Sequence, residues 1–159
     1  MTSESAEELF EKALTLIRAK KEREAFELLA RIFENTSSSV YETEARYLSY
    51  YGYLTGVVAH NYQQGIELCN EAIKKEFFHP DFYLNLGKLY LAVSNKHMAV
   101  KAFYKGLRID GANKELKEEI KKLGVRRKPV FSFFTRDNPV NRFAGRTRAV
   151  FRRLLKGAK

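Results

Sequence analysis

The stretch FYLNLGKLYLAVSNKHMAVKAFYKGLRID, residues 82–110, decides the fold of this chain. Its first half places Tyr83, Gly87 and Tyr90 at the four- and three-residue spacing of one helix face. A short polar break follows, and small and large residues then recur at helical spacing. Because small residues allow two helix backbones to approach closely, the pattern predicts a helical hairpin.

The second half of this pattern also occurs earlier in the chain, at a constant distance of 34 residues. The matching pairs are Gly65 with Ala99, Cys69 with Phe103, and Ala72 with Gly106. Gly52 precedes Gly87 by 35 residues, which predicts one additional residue in the turn of the earlier hairpin. A weaker copy opens the chain, where Ala13 precedes Gly52 by 39 residues and the surplus falls in the Ser-rich stretch NTSSSV.

A hairpin period of 34 residues is the tetratricopeptide period, and on these residues the chain resembles tetratricopeptide repeat proteins. The resemblance implies an all-α fold, a solenoid of stacked helical hairpins. We expect a repeat domain over residues 1–124, with repeats at about 6–39, 45–79 and 80–112. A capping helix over 113–123, charged on its outer faces, would cover the last hairpin.

In tetratricopeptide repeat proteins the first helix of each hairpin lines a concave surface that binds a peptide or a helix. The resemblance therefore implies partner-binding residues at the equivalent places of this chain. Those predicted to contact a partner are Phe10, Leu14, Arg46, Tyr50, Tyr53, Asn85 and Lys88. The surface also includes Ile17, Ser49, Val57, Asp81, Leu84 and Leu91, of which Val57, Leu84 and Leu91 are expected to pack against neighbouring repeats. We expect this surface to be apolar and aromatic, with few charges.

Some chaperone-binding members of the family grip a C-terminal carboxylate with Lys, Asn and Arg side chains on these helices. The corresponding places here hold Phe10, Leu14, Tyr50 and Asp81, and only Asn85 is compatible with such a clamp. We therefore expect that this chain does not bind a chaperone tail in that way.

The net charge of +10 is confined to the end of the chain. Residues 1–124 contain 18 basic and 18 acidic side chains, whereas residues 125–159 contain 11 basic side chains and one acid, Asp137. An electroneutral domain followed by a basic extension is typical of proteins that bind nucleic acid or an anionic surface.

Within the extension, Asn138 and Pro139 predict the start of an amphipathic basic helix over about 139–156. Its candidate residues for an anionic partner are Arg142, Arg146, Arg148, Arg152 and Arg153. Four interpretations stay open at this point. The helix packs its apolar face on the repeat domain, lies on an anionic membrane, neutralises the phosphates of a nucleic acid, or docks into a groove of a partner protein.

No motif in the sequence predicts catalysis, a cofactor or a metal site. The three histidines, His60, His79 and His97, have no metal-ligand spacing, and the single cysteine, Cys69, is expected to be a buried packing residue. The acidic, polar start and the lack of a long apolar run favour a cytoplasmic protein, and the basic extension would allow a peripheral position at an anionic membrane.

The sequence thus predicts a non-enzymatic adaptor that binds a protein or peptide in a concave groove. The alternative is a module that associates with nucleic acid or an anionic membrane through its basic extension. Homo-oligomerisation through the open faces of the solenoid is a third possibility.

Overall fold

The computed structural model describes residues 5–35 and 44–124, and within these ranges every regular element is an α-helix. The seven helices are α1 (Ala6–Arg18), α2 (Glu22–Asn35), α3 (Ala45–Val57), α4 (Tyr62–Lys75), α5 (Pro80–Ala92), α6 (Lys96–Ile109) and α7 (Lys114–Lys122). The contacts divide the chain into two units, Met1–Gly124 and Val125–Lys159, and all seven helices belong to the first. The predicted basic helix over 139–156 lies outside the described residues.

The helices pack as successive hairpins, which confirms the prediction of stacked helical pairs. Contacts join α1 to α2, α3 to α4, and α5 to α6, while α3 packs on α2 and α5 and α7 packs on α6. Each hairpin therefore buries its apolar faces against its own partner helix and against the next hairpin, as a solenoid requires.

Side-chain caps fix where several helices begin. The Ser5 hydroxyl accepts a hydrogen bond from the backbone of Glu8 at 3.2 Å, and the Glu8 carboxylate accepts one from the Ser5 backbone at 3.0 Å. The two hydrogen bonds together form a capping box at the start of α1. The side chains that cap α4, α6 and α7 in a similar way belong to Asn61, Asn95 and Asn113.

The turn inside each hairpin contains one residue in the left-handed region. Lys20, His60 and Ser94 have φ of 60°, 57° and 59°, and each lies two residues before the second helix of its hairpin. The turn over 58–61 is one residue longer than the turn over 93–95, which accounts for the 35-residue distance between Gly52 and Gly87.

Small residues set the distance between α3 and α4. A Cβ atom added to Gly65 would lie 2.5 Å from the Gly52 carbonyl oxygen, and one added to Gly52 would lie 2.8 Å from the Gly65 carbonyl oxygen. In the third hairpin a Cβ atom on Gly87 would overlap the ring of Phe103. The predicted close crossing at glycine is therefore confirmed for α3 and α4, whereas Gly87 makes room on α5 for a large side chain of α6.

The second helices of the three hairpins bury the same pattern of residues. The buried positions are Ala25, Leu29 and Ile32 in α2, Gly65, Cys69 and Ala72 in α4, and Ala99, Phe103 and Gly106 in α6. The 34-residue matches in the sequence thus correspond to equivalent core positions.

The buried cysteine provides a direct check of this packing. Cys69 is completely covered, its thiol donates to the Ser49 carbonyl oxygen at 3.3 Å, and burial raises its pKa from 9.0 to about 12. Because a reagent reaches a fully buried thiol only when the packing opens, we expect the folded protein to react with a thiol reagent at least about a hundredfold more slowly than the unfolded protein. Labelling rates with and without urea test this, and equal rates would contradict the burial of Cys69.

Candidate partner-binding groove

The first helices of the hairpins enclose a groove of about 460 Å³. Its lining residues come from α1, the α1–α2 turn, the start of α2, and α3, α5 and α7. They are Leu14, Ile17, Arg18, Lys20, Glu22, Tyr50, Tyr53, Asp81, Leu84, Asn85, Lys88 and Glu115. Most of the residues predicted for a concave surface are therefore brought together in one place.

Helical spacing explains why these side chains share the groove. Residues three or four apart lie on the same face of a helix. The groove-lining sets on the first helices follow that rule: Leu14, Ile17 and Arg18 on α1, Tyr50 and Tyr53 on α3, and Asp81, Leu84, Asn85 and Lys88 on α5.

The two tyrosines are tied to carboxylates on neighbouring elements. The Tyr50 hydroxyl donates to Asp81 Oδ2 at 3.3 Å, and the Tyr53 hydroxyl donates to Glu22 Oε1 at 3.2 Å. Burial first, and then the adjacent carboxylate, raises the pKa of both tyrosines above its usual range. Both hydroxyls therefore remain neutral donors, and they fix the two rings in the groove wall.

Lys88 links α5 to two other helices. Its Nζ lies 5.5 Å from the centroid of the Tyr53 ring and 3.9 Å from Glu115 Oε2. The first distance is within the range of a cation–π interaction. Lys88 is thus partly neutralised on the groove wall, with its side chain 29% exposed.

Phe10 does not lie in the groove. Its ring is 2% exposed and packs against Tyr47 and Tyr50, with centroid distances of 4.8 and 5.6 Å. Phe10 therefore fills the interface between α1 and α3, which corrects its predicted place on the partner-binding surface.

Asn85 also has a packing role. Although it lines the groove, it is only 3% exposed, and its Nδ2 donates to the Ser49 hydroxyl at 3.1 Å. Because Ser49 is fully buried, this bond links α5 to α3 inside the domain. That bond uses one of the two N–H groups of the Asn85 amide, and Asn85 as a partner-contact residue stays a prediction.

Arg46 lies outside the groove lining and joins α3 to α1. Its guanidinium pairs with Glu44 at 2.8 Å and with Glu7, and it lies 5.2 Å from the centroid of the Phe10 ring. The hydrogen bond to Glu44 raises its pKa further. Tyr47 donates to the same Glu7 carboxylate at 3.0 Å, which completes an ionic contact between the two helices.

The expectation of few charges in the groove is wrong. Half of the groove-lining residues are charged, and four of them were not predicted: Arg18, Lys20, Glu22 and Glu115. Reasoning from the first helices alone misses Lys20, Glu22 and Glu115, because these belong to a turn, a second helix and the capping helix. The dense charge run RAKKERE, residues 18–24, is the sequence signal that points to Lys20 and Glu22.

Within residues 5–35 and 44–124, no group of three or more His, Cys, Asp or Glu side chains is placed to hold a metal ion. None of the helices described in these ranges is both long and apolar enough to cross a bilayer. The five arginines predicted for an anionic partner, from Arg142 to Arg153, lie outside the described residues.

Comparison with solved structures places this architecture among known folds. The TPR domain of Arabidopsis OM64 is 19% identical, with a TM-score of 0.57, and the match covers 74% of this chain and 93% of that one. The first TPR of Spaghetti (RPAP3), bound to the HSP90 peptide SRMEEVD, is 17% identical with a TM-score of 0.56 and coverages of 78% and 94%.

This chain has the tetratricopeptide repeat fold. PcrH in complex with the chaperone-binding region of PopB is also similar, at 15% identity, a TM-score of 0.53 and coverages of 78% and 95%. No protein-family model and no curated relative matches the sequence. In this tetratricopeptide repeat domain α7 covers the third hairpin, with Leu116 lying against Gly106 of α6.

Proposed function

We propose that the protein is a non-enzymatic adaptor that binds a peptide or helix of a partner protein in its concave groove. The observation that carries this proposal is the groove itself, a cleft lined by side chains from five helices and the α1–α2 turn. Its wall combines the apolar side chains of Leu14, Ile17 and Leu84 with two ordered tyrosines. Tyrosine supplies a large contact area at a small loss of conformational entropy.

The similar structures support a role in protein binding. Two of those named above contain a bound peptide or a region of another protein. Stacked helical hairpins create extended concave surfaces that suit such ligands. The two classes of ligand in the proposal, an extended peptide and a helix, both fit a surface of this kind.

A clamp for a C-terminal carboxylate is not part of the proposal. Of the corresponding places, Phe10 and Asn85 are buried, and Asp81 puts a negative charge where such a clamp needs a basic or amide side chain. The ligand is instead expected to contact the part of the groove between Leu14, Ile17 and Tyr53.

A charge placed in the apolar wall of the groove tests the proposal. Peptides selected from a displayed random library for binding to the full-length protein are expected to bind Leu14→Arg at least tenfold more weakly, which corresponds to about 1.4 kcal/mol. The change places a cation where an apolar side chain of the ligand would lie. Titration by fluorescence anisotropy gives the dissociation constants.

The matched control is Leu16→Arg on the same helix. Leu16 is also partly buried, but it lines a separate apolar cavity with Thr15 and Leu28. We expect this variant to bind the selected peptides as the unaltered protein does, and circular dichroism verifies that both variants are folded. Equal loss of binding in both variants would refute a function centred on the groove, and so would unchanged binding in both.

The basic extension offers a second function, which stays a prediction from the sequence. Its excess of ten positive charges favours nucleic acid or an anionic membrane as partner. Full-length protein with Arg142, Arg146, Arg148, Arg152 and Arg153 all changed to Gln separates the two functions. A complex made through the extension is expected to weaken strongly in this variant and in about 1 M salt, whereas peptide binding in the groove is not expected to need these arginines.

A further inference from the structure

The acidic side chains of the groove have partners inside the protein, whereas two of its basic side chains do not. Each of its three carboxylates already has a donor or a cation: Glu22 accepts from Tyr53, Asp81 accepts from Tyr50, and Glu115 lies 3.9 Å from the ammonium of Lys88. A ligand that brings a further cation would therefore have to compete with contacts inside the protein.

Two groove-lining cations are in the opposite situation. The side chains of Arg18 and Lys20 are exposed, and neither forms an ion pair or a hydrogen bond with any residue in the described part of the chain. Both lie where α1 ends and turns towards α2. They are positive charges at the border of a groove whose three carboxylates already have a hydrogen-bond donor or a cation as partner.

A second cavity continues the positive border. It has a volume of about 410 Å³ and shares Lys20 and Glu22 with the groove. Its other lining residues are Lys21, Arg23, Glu24, Val57, Val58 and His60. Lys21 pairs with Glu24 at 3.0 Å, whereas Arg23 has no such partner among residues 5–35 and 44–124. Arg18, Lys20 and Arg23, at the end of α1, in the turn and at the start of α2, are therefore cations without an ion-pair partner in the described part of the chain, and we call them the basic rim.

We propose that the groove recognises an acidic segment of its partner, with an apolar side chain in the groove and a carboxylate over the basic rim. This inference rests on the proposed function and adds the chemistry and the orientation of the ligand. Carboxylate contacts with an arginine are strong and directional, and an uncompensated cation gains more from a carboxylate than a paired one does.

The spacing on α1 also sets the spacing expected in the ligand. Ile17 and Arg18 lie three and four residues after Leu14, so each of their side chains is a neighbour of Leu14 at about 5–6 Å along the helix surface. An extended peptide advances about 3.3 Å per residue and places every second side chain on one face. The ligand is therefore expected to carry an Asp or Glu two residues from its apolar anchor.

Peptide selection with charge-reversed protein tests the inference. Displayed random peptides are selected on three full-length proteins: the unaltered chain, Arg18→Glu with Lys20→Glu, and the control Lys101→Glu with Lys105→Glu. The control makes the same change of net charge at exposed positions of α6 outside the groove. We expect the unaltered protein and the control to select peptides with an acid two residues from an apolar residue.

The double variant at the rim is expected to bind those acidic peptides at least tenfold more weakly than the control does. Raising the salt from about 0.1 M to about 1 M should weaken acidic peptides on the unaltered protein and leave the rim variant little affected. Selection on the rim variant should shift towards Lys and Arg at the same position.

Two results would overturn the inference, and only the second of them would also overturn the proposed adaptor function. The acidic ligand would be refuted if the selected peptides depend on Leu14 but are not enriched in acidic residues, or if they bind the rim variant as tightly as the control. The adaptor function would still stand after either result. A selection that yields no peptide sensitive to Leu14→Arg would refute both the acidic ligand and the groove as a binding site.

Discussion

Replacement of Phe103 by alanine is expected to lower the free energy of unfolding by about 4 kcal/mol. The ring is completely buried in a cluster with Leu84, Ala99 and Leu116. It also occupies the space that Gly87 leaves open on the facing helix, so its removal creates a cavity at the contact between α5 and α6. Urea denaturation followed by circular dichroism measures the loss.

Phe78→Ala is the matched control for this cavity. Phe78 is 55% exposed in the connection between α4 and α5, so the same truncation there removes little buried surface. We expect it to change the free energy of unfolding by less than about 1 kcal/mol. Similar losses in both variants would mean that Phe103 is not the centre of the third hairpin.

Replacement of Gly65 by alanine is expected to lower the free energy of unfolding by about 2 kcal/mol, even though alanine is the better helix former. Helix propensity alone favours the change by about 1 kcal/mol. The new methyl group, however, would lie 2.5 Å from the Gly52 carbonyl oxygen and 3.1 Å from the Gly56 nitrogen. Because these are backbone atoms, α3 and α4 must separate, and overpacking of this kind costs about 3 kcal/mol at the upper end of its usual range.

Gly111→Ala distinguishes this clash from a general effect of glycine replacement. A Cβ atom on Gly111 meets only the Leu107 carbonyl oxygen, at an ordinary contact distance of 3.6 Å. We expect unchanged or slightly higher stability for this variant, since alanine restricts the unfolded chain. A Gly65→Ala protein that is as stable as the unaltered chain would contradict the close crossing of α3 and α4.

The fold could be predicted from the sequence because its main signals are local and periodic. The contacts inside the second and third hairpins leave no room for a side chain at Gly52, Gly65 and Gly87, so these glycines mark the hairpins directly in the sequence. Polar caps such as Ser5 and Asn113 then mark where helices begin. These signals depend only on neighbouring residues and on one constant repeat distance.

The groove could be predicted only in part because helical periodicity identifies a face of a helix but not its depth. Tyr53 and Lys88 line the groove as expected, whereas Phe10 is covered by α3 and Asn85, although it lines the groove, is almost fully buried. Arg46 was expected on the same surface, but two carboxylates, one from α1, hold it at another contact. Which side of a face is covered depends on the stacking of hairpins, a tertiary property that periodicity does not encode.

The central claim is that the concave face formed by α1, α3 and α5 binds the partner. Backbone ¹H–¹⁵N spectra of the full-length protein, recorded during titration with a peptide selected on it, test this claim most directly. The largest shift changes are expected at amides around Leu14, Tyr50 and Leu84, with smaller changes on α2, α4 and α6. Changes concentrated on α2, α4 and α6, with the groove amides unmoved, would contradict the claim.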